Sequence, residues 1–154
     1  MSVFKRRPEA ALDSKHAEAR IAEGLTCKVT EGDREVVLDM SEIMGGSALG
    51  PAPGFHARAA ISGCVAIGIK LTAVRLGIEL RSVHVGLDMD FDDSALLGMG
   101  EASAAPLRTR IKITLASDAD EETLQGLVDA ALKADPYFLA LRDPQKVETS
   151  LEFA

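Results

Sequence analysis

The chain has 154 residues, 47% of them hydrophobic and 27% charged, which is typical of a folded domain and excludes a disordered segment. Its formal net charge of -7 argues against a nucleic-acid-binding protein, because such proteins present a basic face. The two cysteines show no CxxC spacing and give no disulfide framework. The polar N-terminus lacks the apolar core of a secretory signal. We therefore expect a cytoplasmic protein.

The N-terminal part of the chain predicts an arm followed by a hairpin. Residues 1–22 are polar and Ala-rich, which indicates a mobile arm or a short helix over 8–22, and a single domain is expected over 23–154. Residues 25–30 and 34–39 have the composition of strands, and Gly32 lies in the turn between them. Proline and glycine over 44–53 then predict an irregular loop.

A long apolar helix is predicted over residues 55–76. Small and apolar side chains recur there at helical spacing: Ala57, Ala60, Ile61, Cys64, Ile67, Gly68, Leu71 and Val74. A helix that is apolar on most sides must be covered on most sides. Its longest uncharged stretch, 59–69, is too short to cross a bilayer, so no membrane is expected.

The C-terminal half predicts two strands, two helices and a last strand. Alternating apolar residues indicate strands over 79–91 and 107–115, joined by a long connection. Acidic residues at 118–121 mark a helix start. A short helix over 136–141 and a strand over 147–153 complete the order. The fold class is therefore α+β, with an antiparallel sheet curled around the central helix.

The sequence predicts neither a metal site nor a cofactor site. The acidic run 88–93 resembles the start of an EF-hand, but Asp93 replaces the required glycine and Met99 the bidentate glutamate. His16, His56 and His84 are scattered and form no zinc-binding pattern. The Gly-rich segment after Met44 lacks the lysine of a phosphate-binding loop.

Cys64 leaves two interpretations open. Its neighbours on the helix are apolar, and an apolar environment raises a thiol pKa and makes the thiol inert. A buried cysteine is commonly only a small hydrophobic residue. A reactive Cys64 would need a cation or a hydrogen-bond donor from elsewhere in the fold or from another subunit.

The loop Gly45-Gly46-Ser47-Ala48-Leu49-Gly50-Pro51-Ala52-Pro53, followed by a long apolar helix with Cys64 in its middle, resembles the OsmC/Ohr family. The resemblance covers residues 25–153 in the order of elements. It implies an intertwined homodimer with sheets wrapped around two central helices and with active sites at the subunit interface. It also implies thiol-based reduction of organic hydroperoxides in the oxidative stress response.

In the family mechanism the helix cysteine, here Cys64, becomes a sulfenic acid. A second cysteine resolves it as a disulfide, which a dithiol then reduces. This sequence has Asp135 at the place of that second cysteine, and Asp before Pro136 is also a good helix N-cap.

The residues that activate the family cysteine are also altered. The family places a glutamate near the start of the cysteine helix, where it orients an activating arginine. This chain has Gly54, Phe55 and His56 there, and Arg20 is the nearest candidate for the arginine. His56 lies about 12 Å from Cys64 along a helix axis, too far for direct contact within one helix.

Two functions are motivated by these features, and a purely structural interaction dimer is a third alternative that no specific feature predicts. The first is a one-cysteine organic hydroperoxide reductase in which an external thiol reduces the oxidised Cys64. The second is a non-catalytic OsmC-fold dimer that binds a small apolar ligand. The missing cysteine and the missing carboxylate motivate the second.

Overall fold

The computed structural model describes residues 6–153, which divide after His56 into two compact units. The predicted α+β class is confirmed. The strands form two small antiparallel sheets, one of three strands and one of two, and a long helix follows the first sheet in the chain.

The first unit contains the sheet β1 (Glu18–Ile21), β2 (Cys27–Glu31) and β3 (Arg34–Leu38), in that spatial order. The hairpin of β2 and β3 is confirmed, and Gly32 in its turn has a φ of 60°. That left-handed conformation favours glycine, which explains why the sequence identified the turn.

Of the two alternatives for the N-terminal segment, a mobile arm or a helix over 8–22, the helix does not form. Only a short 3₁₀ helix, Pro8–Ala11, forms there, and β1 follows it as an edge strand paired antiparallel with β2. The segment Glu18-Ala19-Arg20-Ile21 alternates polar and apolar residues, but only over four positions within an Ala-rich stretch, and all four residues are exposed. Helix propensity is a weak preference, and pairing with the open edge of β2 overrides it.

The loop after β3 is held by the buried carboxylate of Asp39. Its Oδ1 accepts a hydrogen bond from the Met40 N–H at 2.7 Å, and its Oδ2 accepts from the Thr26 hydroxyl at 2.9 Å. The N–H groups of Leu49 and Ser47 also donate to Oδ2, at 3.2 and 3.3 Å. Burial alone would raise the pKa of Asp39, but these donors outweigh it and lower the pKa below its ordinary value. An irregular segment thus acquires one fixed conformation.

Helix α1 (Pro53–Leu76) confirms the long predicted helix. It ends at Gly77, whose φ is 72°. The Ile78 N–H donates to the Ala73 carbonyl at 2.9 Å and the Gly77 N–H to the Val74 carbonyl at 3.3 Å, the paired bonds of a Schellman motif.

The prediction that no membrane is involved rested on the short uncharged stretch 59–69, and the length and composition of the whole helix do not test it. Charged residues are sparse enough that Pro53–Leu76 is long and apolar enough to cross a bilayer, and 28% of its most apolar window is buried within the chain. The core helix of a soluble protein passes the same test, because both environments select apolar side chains.

The second unit pairs β4 (Ser82–Asp90) with β5 (Arg108–Ala116), which confirms both predicted strands. A short helix α2 (Asp93–Leu96) lies in the connection, and the Asp92 side chain caps it. Asp92 belongs to the acidic run that resembles the start of an EF-hand. Its carboxylate accepts hydrogen bonds from the first turn of α2, and this role as an N-cap explains why an aspartate is found there.

Helices α3 (Glu121–Leu132) and α4 (Pro136–Arg142) complete the second unit. Asp120 and Asp135 are their N-caps, each accepting a backbone N–H three residues ahead. The core combines one face of α1 with residues from the following segment and from α3: Val65, Ile69, Ala73, Leu80, Leu127 and Ala131. The three core residues of α1, Val65, Ile69 and Ala73, are four positions apart and therefore lie on one side of the helix.

The predicted last strand over 147–153 is wrong. The segment has no regular structure, and Val147, Leu151 and Phe153 are exposed. Alternation of apolar residues is not enough for a strand, because its backbone groups also need a neighbouring strand to pair with.

Candidate functional site

Cys64 lies half-buried on α1 at the edge of a cavity of about 290 Å³. Residues of α1, the end of α3 and the start of α4 line the cavity: Cys64, Ile67, Gly68, Leu71, Thr72, Ala131, Ala134, Asp135 and Pro136. Most of these side chains are apolar or small. The cavity therefore has the size and polarity to accept a small organic group next to the thiol.

Asp135 is brought against Cys64 by the turn between α3 and α4. The residue is 3% exposed, and its Oδ1 accepts a hydrogen bond from the Phe138 N–H at 2.8 Å. Its Oδ2 is buried and makes no hydrogen bond of ordinary geometry among the described residues. One oxygen thus caps α4, as the Asp-Pro pair predicts, while the other lies at the cavity beside the thiol.

The electrostatic surroundings hold the proton on Cys64. Burial raises the pKa of the thiol above its ordinary value, and the neighbouring Asp135 carboxylate raises it further. The backbone N–H of Tyr137 opposes this shift by donating toward the sulfur. No cationic side chain lines the cavity within residues 6–153. The resting group is therefore a thiol, as the apolar neighbours of Cys64 indicated.

Within the second unit the structure brings together two of the four predicted site residues, Cys64 and Asp135. Arg20 lies exposed on β1, and His56 lies half-buried in the first turn of α1, with its ring edge-to-face with Phe55. Both belong to the first unit, so their roles at Cys64 stay predictions. Cys27 lies on β2 in the same unit, and its thiol is free.

Gly68 also belongs to the site, although the sequence did not indicate its position next to Asp135. It lies one turn after Cys64 on the same face of α1, and a Cβ added there would lie 3.6 Å from Oδ2 of Asp135. Gly68 and Asp135 therefore line the Cys64 cavity side by side. The spacing of four residues was visible in the sequence, but the approach of Asp135 was not.

The described residues contain no group of three histidine, cysteine, aspartate or glutamate side chains that could hold a metal ion. Among the side chains that line the cavity, one thiol and one carboxylate are ionisable.

A family model described as OsmC-like protein matches residues 45–150, which include the glycine-proline loop, α1 and the Cys64 cavity. The match spans more than half of the chain. The protein belongs to the OsmC-like family. This membership supports the interpretation of α1 as the central helix of a soluble protein.

Solved structures show the same fold. An OsmC-like protein from Mycoplasma pneumoniae has a TM-score of 0.71 at 14% identity, and the similarity covers 84% of this chain and 88% of that one. An organic hydroperoxide resistance protein OsmC from Legionella pneumophila has a TM-score of 0.58 at 20% identity, over 86% and 91% of the two chains.

The organic hydroperoxide resistance protein OhrB of Bacillus subtilis has a TM-score of 0.52 at 24% identity, over 86% of this chain and 93% of that one. A comparison with curated proteins finds no match. At these identities the solved structures support the fold, and the activity must be argued from the site.

Proposed function

We propose that this protein is an OsmC-fold organic hydroperoxide reductase that uses Cys64 alone. The observation that carries the proposal is the half-buried Cys64 thiol at an apolar cavity on the central helix, with Asp135 where the family's second cysteine is expected. The sulfur attacks the distal oxygen of the hydroperoxide, the O–O bond breaks, and a sulfenic acid and an alcohol form.

Reduction of the sulfenic acid then needs a thiol from outside the second unit. Asp135 cannot form a disulfide, and Cys27 lies in the first unit. An external thiol attacks the Cys64 sulfur and releases water. A second external thiol attacks the mixed disulfide, which returns the Cys64 thiol and releases the oxidised reductant.

Treatment with stoichiometric cumene hydroperoxide in the presence of dimedone is expected to give an adduct at Cys64, detected by peptide mass spectrometry. The Cys27→Ser variant should keep the adduct and the Cys64→Ser variant should lose it. Dithiothreitol added before dimedone should restore the free thiol. Absence of an adduct at Cys64 in the wild type would contradict the proposal. That result would favour a non-catalytic protein that binds a small apolar ligand.

We also propose that the protein is a homodimer whose subunits meet along α1. Ile67, Leu71 and Val74 are 62%, 66% and 72% exposed, so the helix presents an apolar face that this chain leaves uncovered. Ile67 and Leu71 also line the Cys64 cavity, so a partner helix on this face would lie next to it. Removal of such a face from water favours association, and the gain must exceed the entropy that the two subunits lose when they associate.

Sedimentation velocity at micromolar concentration is expected to show a dimer for the wild type and a monomer for Val74→Glu. The substitution places a charge on the proposed interface, where burial without a partner is unfavourable. Leu12→Glu is the matched control, because Leu12 is 85% exposed and lies far from α1 in sequence. A monomeric wild type, or a dimeric Val74→Glu variant, would contradict an interface on this face.

A further inference from the structure

Among the described residues, the buried side-chain polar atoms without a hydrogen-bond partner are Oδ2 of Asp135 in the second unit and Nε2 of His56 in the first. Oδ1 alone caps α4 and fixes the orientation of the carboxylate. Oδ2 has no hydrogen-bond partner of ordinary geometry within residues 6–153, although the residue is 3% exposed. An unsatisfied buried acceptor is costly, so its retention beside the thiol needs an explanation.

We propose that Asp135 transfers the proton of the Cys64 thiol to the leaving oxygen of the hydroperoxide. This inference rests on the proposed reductase function and adds a second catalytic residue to it. As Sγ attacks the distal oxygen, the thiol proton passes to Oδ2. The O–O bond breaks, sulfur is oxidised by two electrons, and the departing alkoxide takes the proton from Asp135. Thiol and hydroperoxide thus become sulfenic acid and alcohol, with every atom accounted for.

The surroundings of the pair favour a shared proton. Cys64 and Asp135 are the only titratable groups that line the cavity among the described residues, whether from α1, α3 or α4. The donor from α4 is the backbone N–H of Tyr137, which points toward the sulfur and is an uncharged group. With no cation on the cavity wall, a thiolate and a carboxylate side by side repel each other, so one proton stays with the pair.

Cumene hydroperoxide releases an alkoxide, which needs a proton to leave, whereas iodoacetamide releases iodide, which does not. The hydroperoxide therefore reports on proton transfer and nucleophilicity together, and iodoacetamide reports on the nucleophilicity of the sulfur alone. The experiment measures second-order rate constants at pH 7 for cumene hydroperoxide and for iodoacetamide at Cys64. We expect Asp135→Asn to raise the iodoacetamide rate constant, because removal of the carboxylate lowers the thiol pKa. The peroxide rate constant should fall by about 10²-fold, the lower end of general acid–base contributions.

The matched control is Asp120→Asn, which makes the same exchange at the exposed N-cap of α3. Asparagine caps a helix as well as aspartate, so both variants should fold. The ratio of the peroxide to the iodoacetamide rate constant should fall by more than about 10²-fold in Asp135→Asn and stay at the wild-type value in Asp120→Asn. An unchanged ratio in Asp135→Asn would overturn the proton transfer, whatever happens to the two separate rates.

The pH profile of the wild type gives a second test that needs no variant. If Asp135 carries the proton, the peroxide rate should be level near neutral pH and fall once the pair has lost its shared proton. The iodoacetamide rate should rise over the same range. Parallel rises with pH would overturn the proposal and leave the reductase intact. A wild type that reacts with iodoacetamide but forms no sulfenic acid would overturn the reductase function itself.

Discussion

Substitution of Gly46 or Gly50 by alanine is expected to lower the free energy of unfolding by roughly 3 kcal/mol, at the upper end of overpacking effects. A Cβ at Gly46 would lie 2.0 Å from the Met40 carbonyl oxygen, and one at Gly50 would lie 2.2 Å from the Val37 carbonyl oxygen. Both obstacles are backbone atoms, which cannot rotate away. Relief therefore requires movement of the loop that Asp39 holds.

Chemical denaturation followed by circular dichroism measures this effect. Gly126→Ala is the matched control, because Gly126 lies inside α3 and a Cβ there would meet no atom within 4 Å. That variant should gain about 1 kcal/mol from helix propensity. A Gly46→Ala or Gly50→Ala variant with the wild-type midpoint would show that the loop does not need these close approaches.

The Asp135→Cys variant is expected to form a disulfide with Cys64 after one equivalent of organic hydroperoxide. The Asp135 side chain lies beside the Cys64 thiol, so a sulfur there is placed to attack the sulfenic acid. Mass spectrometry should show the loss of two hydrogens relative to the reduced variant, and dimedone should no longer trap Cys64. Loss of the N-cap should cost about 1 kcal/mol of stability.

The control for this experiment is Asp120→Cys. Asp120 is also a helix N-cap, but it is exposed and does not line the Cys64 cavity. Its variant should keep a free second thiol, and Cys64 should still give the dimedone adduct. If the sulfenic acid persists in Asp135→Cys, the side chains at positions 64 and 135 are not oriented so that their sulfur atoms can form a disulfide.

Local signals in the sequence were sufficient for most elements. The β2–β3 hairpin followed from two strand-like segments around Gly32, and α1 followed from a long helical repeat ended by Gly77. The edge strand β1 escaped prediction because its alternation spans only four residues within an Ala-rich segment that also favours a helix. The segment 147–153 shows the opposite error. Its apolar residues alternate and predict a strand, but it pairs with no other strand among the described residues.

The sequence by itself placed Cys64 in the middle of an apolar helix after a glycine-proline loop, because periodicity and turn residues are local properties. It also identified Asp135 as a helix cap. Only the tertiary structure decided that this carboxylate lies beside the thiol and that its second oxygen is buried without a hydrogen-bond partner among the described residues. That contact joins α1 to the start of α4, elements far apart in the chain, and it depends on how α3 packs in the core. Packing of this kind is set by three-dimensional fit between side chains, which no local pattern encodes.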